Sequence, residues 1–280
     1  MVIQTSAVDL ATSQSEVVVG DQRGDWTDDT AFTWQEIIAS TTEKWGGFQV
    51  NIGVAGTLPR SGVVKIGTGG AGVETEIVRL PNRTVQRHGV VTVFCPIPVA
   101  AGVRLSVAMG LDAIAGGERQ VQVIGFPEAD IGTAPFSALD TGPYRLGGFN
   151  NYGRGVRIVA GATANTKGAW VEISQDNAVN LIHGGGLPHD YSHLGIIYVT
   201  EGPPSDENVL IDIAKGLPGS EVVIAENIHL FDGESVGGTN ETPTIFWLPS
   251  NSIGAGERIS ARIQASAADH PIGLLLAGLR

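Results

Sequence analysis

VVKIGTGGAGVETEIV (Val63–Val78) and LIDIAKGLPGSEVVIA (Leu210–Ala225) decide how this chain is read. At a shift of 147 residues, apolar residues fall on apolar residues. A Gly-rich tip falls on a Gly/Pro tip, Gly72 on Gly219 and Glu74 on Glu221. The match continues outward. VTVFCPIPVAAGVRLSVAM (Val91–Met109) aligns with PTIFWLPSNSIGAGERISARI (Pro243–Ile263), where AGVRLS (Ala101–Ser106) meets AGERIS (Ala255–Ser260) after a two-residue insertion. Val123-Ile124-Gly125-Phe126 meets Leu276-Ala277-Gly278-Leu279 at the far end. Toward the N-terminal side, FTWQEII (Phe32–Ile38) has its counterpart in AWVEIS (Ala169–Ser174), and Phe48–Val54 in Ile196–Val199. A repeat on this scale points to two related units in tandem.

The units are built of short alternating runs separated by Gly, Pro, Asn and Asp. No window of a dozen residues holds a helical period. This is the pattern of a sandwich or jelly roll. The expected fold is therefore all-β: two tandem β-sandwich or jelly-roll-like domains related by an internal repeat, with an N-terminal arm. The expected boundaries are 1–20 for the arm, 21–127 for the first sandwich, 128–155 for a connecting segment and 156–280 for the second sandwich. Glu16–Val19 is a candidate strand, and Phe32–Ile38 opens either a strand or a short helix. The 280 residues suffice for two ordinary cores. The 39 glycines supply tight turns.

The net charge of −12 is shared evenly. Residues 1–140 hold 9 Lys and Arg against 15 Asp and Glu, and residues 141–280 hold 8 against 14, so each half carries −6. Neither half is a basic module, which argues against nucleic acid and against an anionic membrane surface. The lone Cys95 forms no intrachain disulfide; the repeat sets Trp247 opposite it, which makes Cys95 a core filler. The first residues show no secretion leader, and Ile272–Leu279 is too short to span a bilayer. Synthesis in a cytosol is the expectation.

Several motifs suggest chemistry. GTGGAG (Gly67–Gly72) has the letters of a dinucleotide loop but is followed by the strand-like VETEIV, so it reads as a hairpin tip. HGGGLPHDYSH (His183–His193) offers His183, His189 and His193 as zinc ligands, with Asp190 near them. The competing reading is a polar surface loop. GDWTDD (Gly24–Asp29) is turn chemistry without an EF-hand pattern. Asn82 and Asn240 are formal glycosylation acceptors that mean little without secretion. Glu74 and Glu76 share a strand face and read as solvation of an exposed surface. Phe136, Tyr144, Phe149 and Tyr152 cluster in the connecting segment, where they either plug the ends of the sandwiches or bind a ligand. Trp26, Trp34 and Trp45 add further aromatic surface, whereas Trp170 and Trp247 lie in apolar runs and read as core. No nucleophile motif, zincin motif or Walker loop is present.

The closing pattern GAGERISARIQASAADHPIGLLLAGL (Gly254–Leu279) resembles the last strands of β-sandwich units in structural proteins of tailed-bacteriophage virions. There a G-x-R-[IL]-x-[AV]-R-x-Q strand precedes a short loop and a final apolar strand. Ala101–Ala113 is a copy lacking the second Arg and the Gln. The resemblance covers a third of the chain. It implies a non-enzymatic virion part without cofactors: a capsid decoration protein, a head or tail fibre, or a baseplate component. Its partners would be its own copies, as a homo-oligomer with a trimer favoured, and other virion proteins. The N-terminal arm would be the anchor. The alternative is a carbohydrate- or receptor-binding, lectin-like protein that meets a host surface glycan. A tail depolymerase is a third reading, for which the chain has little room beside its repeats.

Overall fold

The computed structural model describes residues 14–19, 33–55, 60–84, 88–111, 118–133, 135–142, 155–174, 186–187, 189–200, 207–232, 245–248 and 253–280. Within these, the chain is all-β with one single-turn helix. The first half supplies β1 (Gln14–Val19), β2 (Gln35–Ile38), β3 (Trp45–Ala55), β4 (Arg60–Thr68), β5 (Thr75–Thr84), β6 (His88–Cys95), β7 (Leu105–Leu111) and β8 (Glu118–Pro127). The helix α1 (Glu128–Ile131) and β9 (Leu139–Gly142) follow. The second half supplies β10 (Val156–Val159), β11 (Val171–Glu172), β12 (His193–Thr200), β13 (Glu207–Lys215), β14 (Val222–Asp232), β15 (Ile245–Trp247), β16 (Ile259–Ala265) and β17 (Pro271–Leu279). No helix among the described residues is long and apolar enough to cross a membrane.

The strands form three sheets. One has the order β1-β8-β3-β6 and another the order β11-β16-β13-β14. Between them a nine-stranded sheet runs β15-β12-β17-β9-β5-β4-β7-β2, with β10 alongside β17. The neighbour order recurs: β1-β8-β3-β6 matches β10-β17-β12-β15, and β2-β7-β4-β5 matches β11-β16-β13-β14. The candidate strand at Glu16–Val19 is present as part of β1, and β9 falls where the sequence suggested no sheet. Gln14–Val19, within the stretch read as an arm, pairs with β8 over six residues. Within the connecting segment, β9 lies antiparallel to β17 and touches β5 in parallel at Leu139 and Val78. It joins the two halves into one sheet.

Alternation along each strand builds two cores on opposite faces of the long sheet. Phe48, Val50 and Ile52 of β3 face Val64, Ile66, Val107 and Leu80 in the first core. Ile211 and Ile213 of β13 face Ile196, Ile272 and Leu274 in the second. Leu275, Ala277 and Leu279 of β17, with Ile197 of β12, turn the other way and join the first core. That is why Ile272–Leu279 is continuously apolar: β17 is buried on both faces.

Two details recur in both halves. The Trp45 ring lies so close over Gly125 that a Cβ there would meet it at 1.9 Å; Tyr191 covers Gly278 with 2.3 Å for the same test. Gly69 and Gly216 have φ of 112° and 110°, and Gly72 and Gly219 have 80° and 81°, left-handed values that glycine adopts at no steric cost. GTGGAG is thus the tip of the β4–β5 hairpin and leads into a strand, not a helix.

Register corrects one alignment. Phe48 pairs with Cys95, whereas Trp247 pairs with Gly195. Leu248, whose N–H bonds Leu194 O at 2.8 Å, takes the place of Cys95. A one-residue slip reverses the face. Cys95 is buried, and burial raises its thiol pKa. Trp247 is 43% exposed and is not a core residue.

Candidate interaction surfaces

Part of both predicted site sets meets at the junction of the halves. Phe136 stands edge-on to His193, with ring centroids 5.3 Å apart. His189 stands edge-on to Tyr191 at 6.2 Å. The Tyr191 hydroxyl donates to Asp140 Oδ2 at 3.2 Å, and Arg280 Nε donates to the same oxygen at 2.7 Å. Burial first, and then the Asp140 carboxylate, raise the Tyr191 pKa. Ser137 holds Arg280 O through its N–H and its hydroxyl. The cluster fastens the last residue of β17's chain end to the connecting segment.

The metal reading gains no partner from this geometry. Asp190 Oδ1 accepts the Ala255 N–H at 2.8 Å, a loop-fixing bond. Among the described residues no three His, Cys, Asp or Glu side chains gather as a ligand set. His183, Tyr144, Phe149, Tyr152 and Trp26 lie outside the described residues. Trp45 is fully buried and offers no surface. Trp170, just before β11, is half-buried, with the Arg262 guanidinium 4.4 Å from its ring centre, so it is not core.

The charged residues inside the repeat form two matching clamps, neither foreseen from the sequence. Arg104 donates from Nε to Glu36 at 2.8 Å, and from Nη1 to Glu74 at 2.9 Å and Gly69 O at 3.2 Å. Arg258 donates from Nε to Glu172 at 3.0 Å, and from Nη1 to Glu221 at 3.3 Å and Gly216 O at 3.1 Å. Each clamp ties a hairpin tip to the neighbouring edge strand. The Glu74 side chain is 2% exposed, which corrects its reading as a solvated acid. Desolvation pushes the Glu74 pKa up, but the Arg104 bond and nearby backbone N–H groups outweigh it and leave the pKa lowered. Its own backbone N–H, and then Gly219 N–H and Arg258, lower Glu221. The signal was present in the aligned pairs Arg104/Arg258 and Glu74/Glu221.

Position 65 and its counterpart 212 bury opposite charges. Lys65 lies 3.5 Å from Glu76, which Arg79 also holds at 2.6 Å. Asp212 accepts from Lys167 at 2.6 Å, Arg262 at 2.9 Å and the Asn227 N–H at 3.0 Å. Burial raises the Asp212 pKa, and these donors reverse the shift and hold it below the ordinary value.

Among the described residues β14 is one of the strands that end a sheet. In the first half, β5 holds the corresponding place and has β9 against it. Among the described residues β14 has no strand on its outer side. Beside it stand Leu217, 73% exposed at the tip, and Val222 and Val223, 60% and 43% exposed. Unpaired backbone with apolar side chains at a sheet edge is a template for another chain.

No family model and no curated protein matches the chain. Two solved structures show a distant likeness. One is a conserved protein of unknown function from Pseudomonas aeruginosa, 12% identical, covering 95% of this chain and 90% of that one, with a TM-score of 0.22. The other is the vicilin of Solanum melongena, 12% identical, covering 88% and 72%, with a TM-score of 0.21. At these TM-scores neither likeness bears on function.

Proposed function

We propose that this chain is a non-enzymatic structural protein that works by assembling with copies of itself and with other proteins. The observation that carries the reading is the open β14 edge with Leu217, Val222 and Val223 exposed beside it. Edge pairing supplies backbone hydrogen bonds, and the exposed side chains supply apolar area. The repeated acids support the same reading, because Glu74 and Glu221 are spent on hairpin clamps. The sequence resemblance gives the setting: the periphery of a tailed-phage particle, as a decoration, fibre or baseplate part, with a trimer as the favoured assembly. Light scattering on the purified protein tests the assembly. The expected result is a discrete oligomer that Val222→Lys with Val223→Lys converts to a monomer of about 29.1 kDa. A wild-type monomer at every concentration, or an oligomer indifferent to both lysines, overturns it. Antibody labelling of purified virions tests the setting.

A further inference from the structure

The outer face of the β1-β8-β3-β6 sheet carries an ordered polar ladder beside an aromatic pair. Gln49 Nε2 donates to Asn51 Oδ1 at 2.8 Å, and Asn51 Nδ2 donates to Gln122 Oε1 at 2.9 Å. The Thr92 hydroxyl donates to Asn51 Oδ1 at 2.9 Å. These residues sit on three adjacent strands in register: Thr92 faces Asn51, which faces Gln122. Two residues along, Phe94 faces Gln49, which faces Ile124. Beyond them stands Gly47, which has no side chain and is buried. A Cβ there would meet the Phe94 ring at 2.9 Å, so the ring leans across β3. It reaches Phe126 edge-on, with centroids 5.8 Å apart. Phe94 remains 50% exposed, and the neighbouring Ile131 46%.

The corresponding face of the second half has a different composition. The pair Asn51–Gln122 is replaced by Ile197–Leu275, and Ile124 by Ala277; all three replacements are buried against the first half. The amides therefore mark a face with no second sheet over it among the described residues. Solvation alone would be met by any polar side chains. Here they are interlocked, and one N–H each of Gln49 and Asn51 is engaged where an amide nitrogen carries two. A pre-ordered set of neutral donors and acceptors limits the entropy lost on binding.

We infer that this face binds a neutral glycan. Sugar hydroxyls both donate and accept, which suits amides and Thr92. The apolar flank of a sugar ring suits the half-exposed Phe94. The ladder residues Gln49, Asn51, Gln122 and Thr92 are neutral, and the register sets Glu16 opposite Gln122 and Glu118 and His88 opposite Ala55, so the ladder offers no fixed cation to a phosphate or a uronic acid. Three strands roughly 4.8 Å apart give a platform of about 10 Å across. It is open along the strands, a shape for a chain of sugars more than for an enclosed small molecule. This inference stands apart from assembly through β14 and uses other residues.

Affinity electrophoresis of the full chain tests it, in gels containing dextran, laminarin or galactomannan, with polygalacturonate as the acidic control. At least one neutral polymer is expected to retard the wild type, and polygalacturonate is not. Phe94→Ala and Asn51→Ala are expected to weaken retention at least tenfold. Thr92→Val keeps shape at an exposed position, so the fold survives, and it should weaken retention several-fold. Phe136→Ala should bind as wild type, because the junction is elsewhere. Absence of retardation by all three neutral polymers overturns the inference. So does wild-type retention by Phe94→Ala, Asn51→Ala and Thr92→Val. If light scattering shows that Phe94→Ala dissociates an oligomer, the face is covered by a second copy and the inference also falls.

Discussion

β8 and β17 hold the same place in their two sheets and have opposite characters. β8 alternates, with Val121 and Val123 buried and Gln122, Ile124 and Phe126 partly open. β17 is buried at every position from Ile272 to Leu279. The difference is what lies behind each strand. β17 sits inside the nine-stranded sheet, with a core on each face. β8 sits in the outer sheet, with one core and one open face. One backbone plan thus gives two sequence patterns, set by burial on one side or two. Substitutions across this pair should have the largest effects. Leu275→Gln puts an amide where no partner is provided and removes buried apolar area, at a cost of about 4 kcal/mol. The reciprocal Gln122→Leu changes an open face and should stay within about 1 kcal/mol. Equilibrium urea unfolding measures both. Equal costs would mean that the outer face of β8 is as covered as that of β17.

The second contrast is between positions 65 and 212. Both lie on the outer side of a central strand, and their neighbours on the adjacent strand differ: Ala108 faces Lys65, whereas Arg262 faces Asp212. The Asp212 side chain is 2% exposed, while Lys167 and Arg262 are 28% and 29% exposed. Asp212→Ala leaves two cations and the Asn227 N–H without their acceptor. The expected loss is roughly 2 kcal/mol, below that of a fully buried pair, because both cations reach water. Lys65→Met replaces one cation by an apolar chain of similar length and should cost less. The contrast has a pH signature. A carboxyl with a folded pKa below its ordinary value stabilises the fold fully above that value, and the contribution fades as pH falls through the folded pKa. The ordinary value here is 3.8. The wild type should therefore lose stability as pH drops below about 5, more steeply than Asp212→Asn. Acid titrations of urea midpoints for the two proteins check this; parallel curves would remove Asp212 from the account.

The all-β class was legible because alternation and turn residues are local signals. The hairpin tips were legible from the glycines at 69, 72, 216 and 219. Three features were not. The joining of the halves through β9 depends on four residues, LDTG, whose pattern says nothing about a partner more than 130 residues away at β17. The exposed position of Trp247 turned on a one-residue choice of register in a stretch where the units differ in length. The charge clusters escaped because each combines side chains from separate strands, as Lys167, Asp212 and Arg262 do. Of the proposed site residues, Phe136 and His193 meet in space although the sequence assigned them to different chemistries.

The Arg104 and Arg258 clamps are where the two halves agree most closely. The guanidinium reaches the same three acceptors in both, within 0.2 Å at the strand glutamate and 0.1 Å at the tip carbonyl. The one departure is the second glutamate, at 2.9 Å from Arg104 and 3.3 Å from Arg258. Both arginines are largely covered, at 18% and 14% side-chain exposure, and both act on a hairpin tip that already holds its shape through its own backbone bond, Val73 N–H to Gly70 O and Ser220 N–H to Leu217 O. Losing a clamp should loosen the tip without opening a core. Arg104→Met and Arg258→Met are expected to lower the thermal midpoint by small and similar amounts, with the Arg104 variant marginally worse because its bond to Glu74 is shorter. The clamps share no residue, so the double variant should show the sum. Amide exchange resolves the location: faster exchange at Val73 in one variant and at Ser220 in the other. A large global loss from either single variant would mean that its arginine holds the two sheets of a sandwich together and not only a hairpin tip.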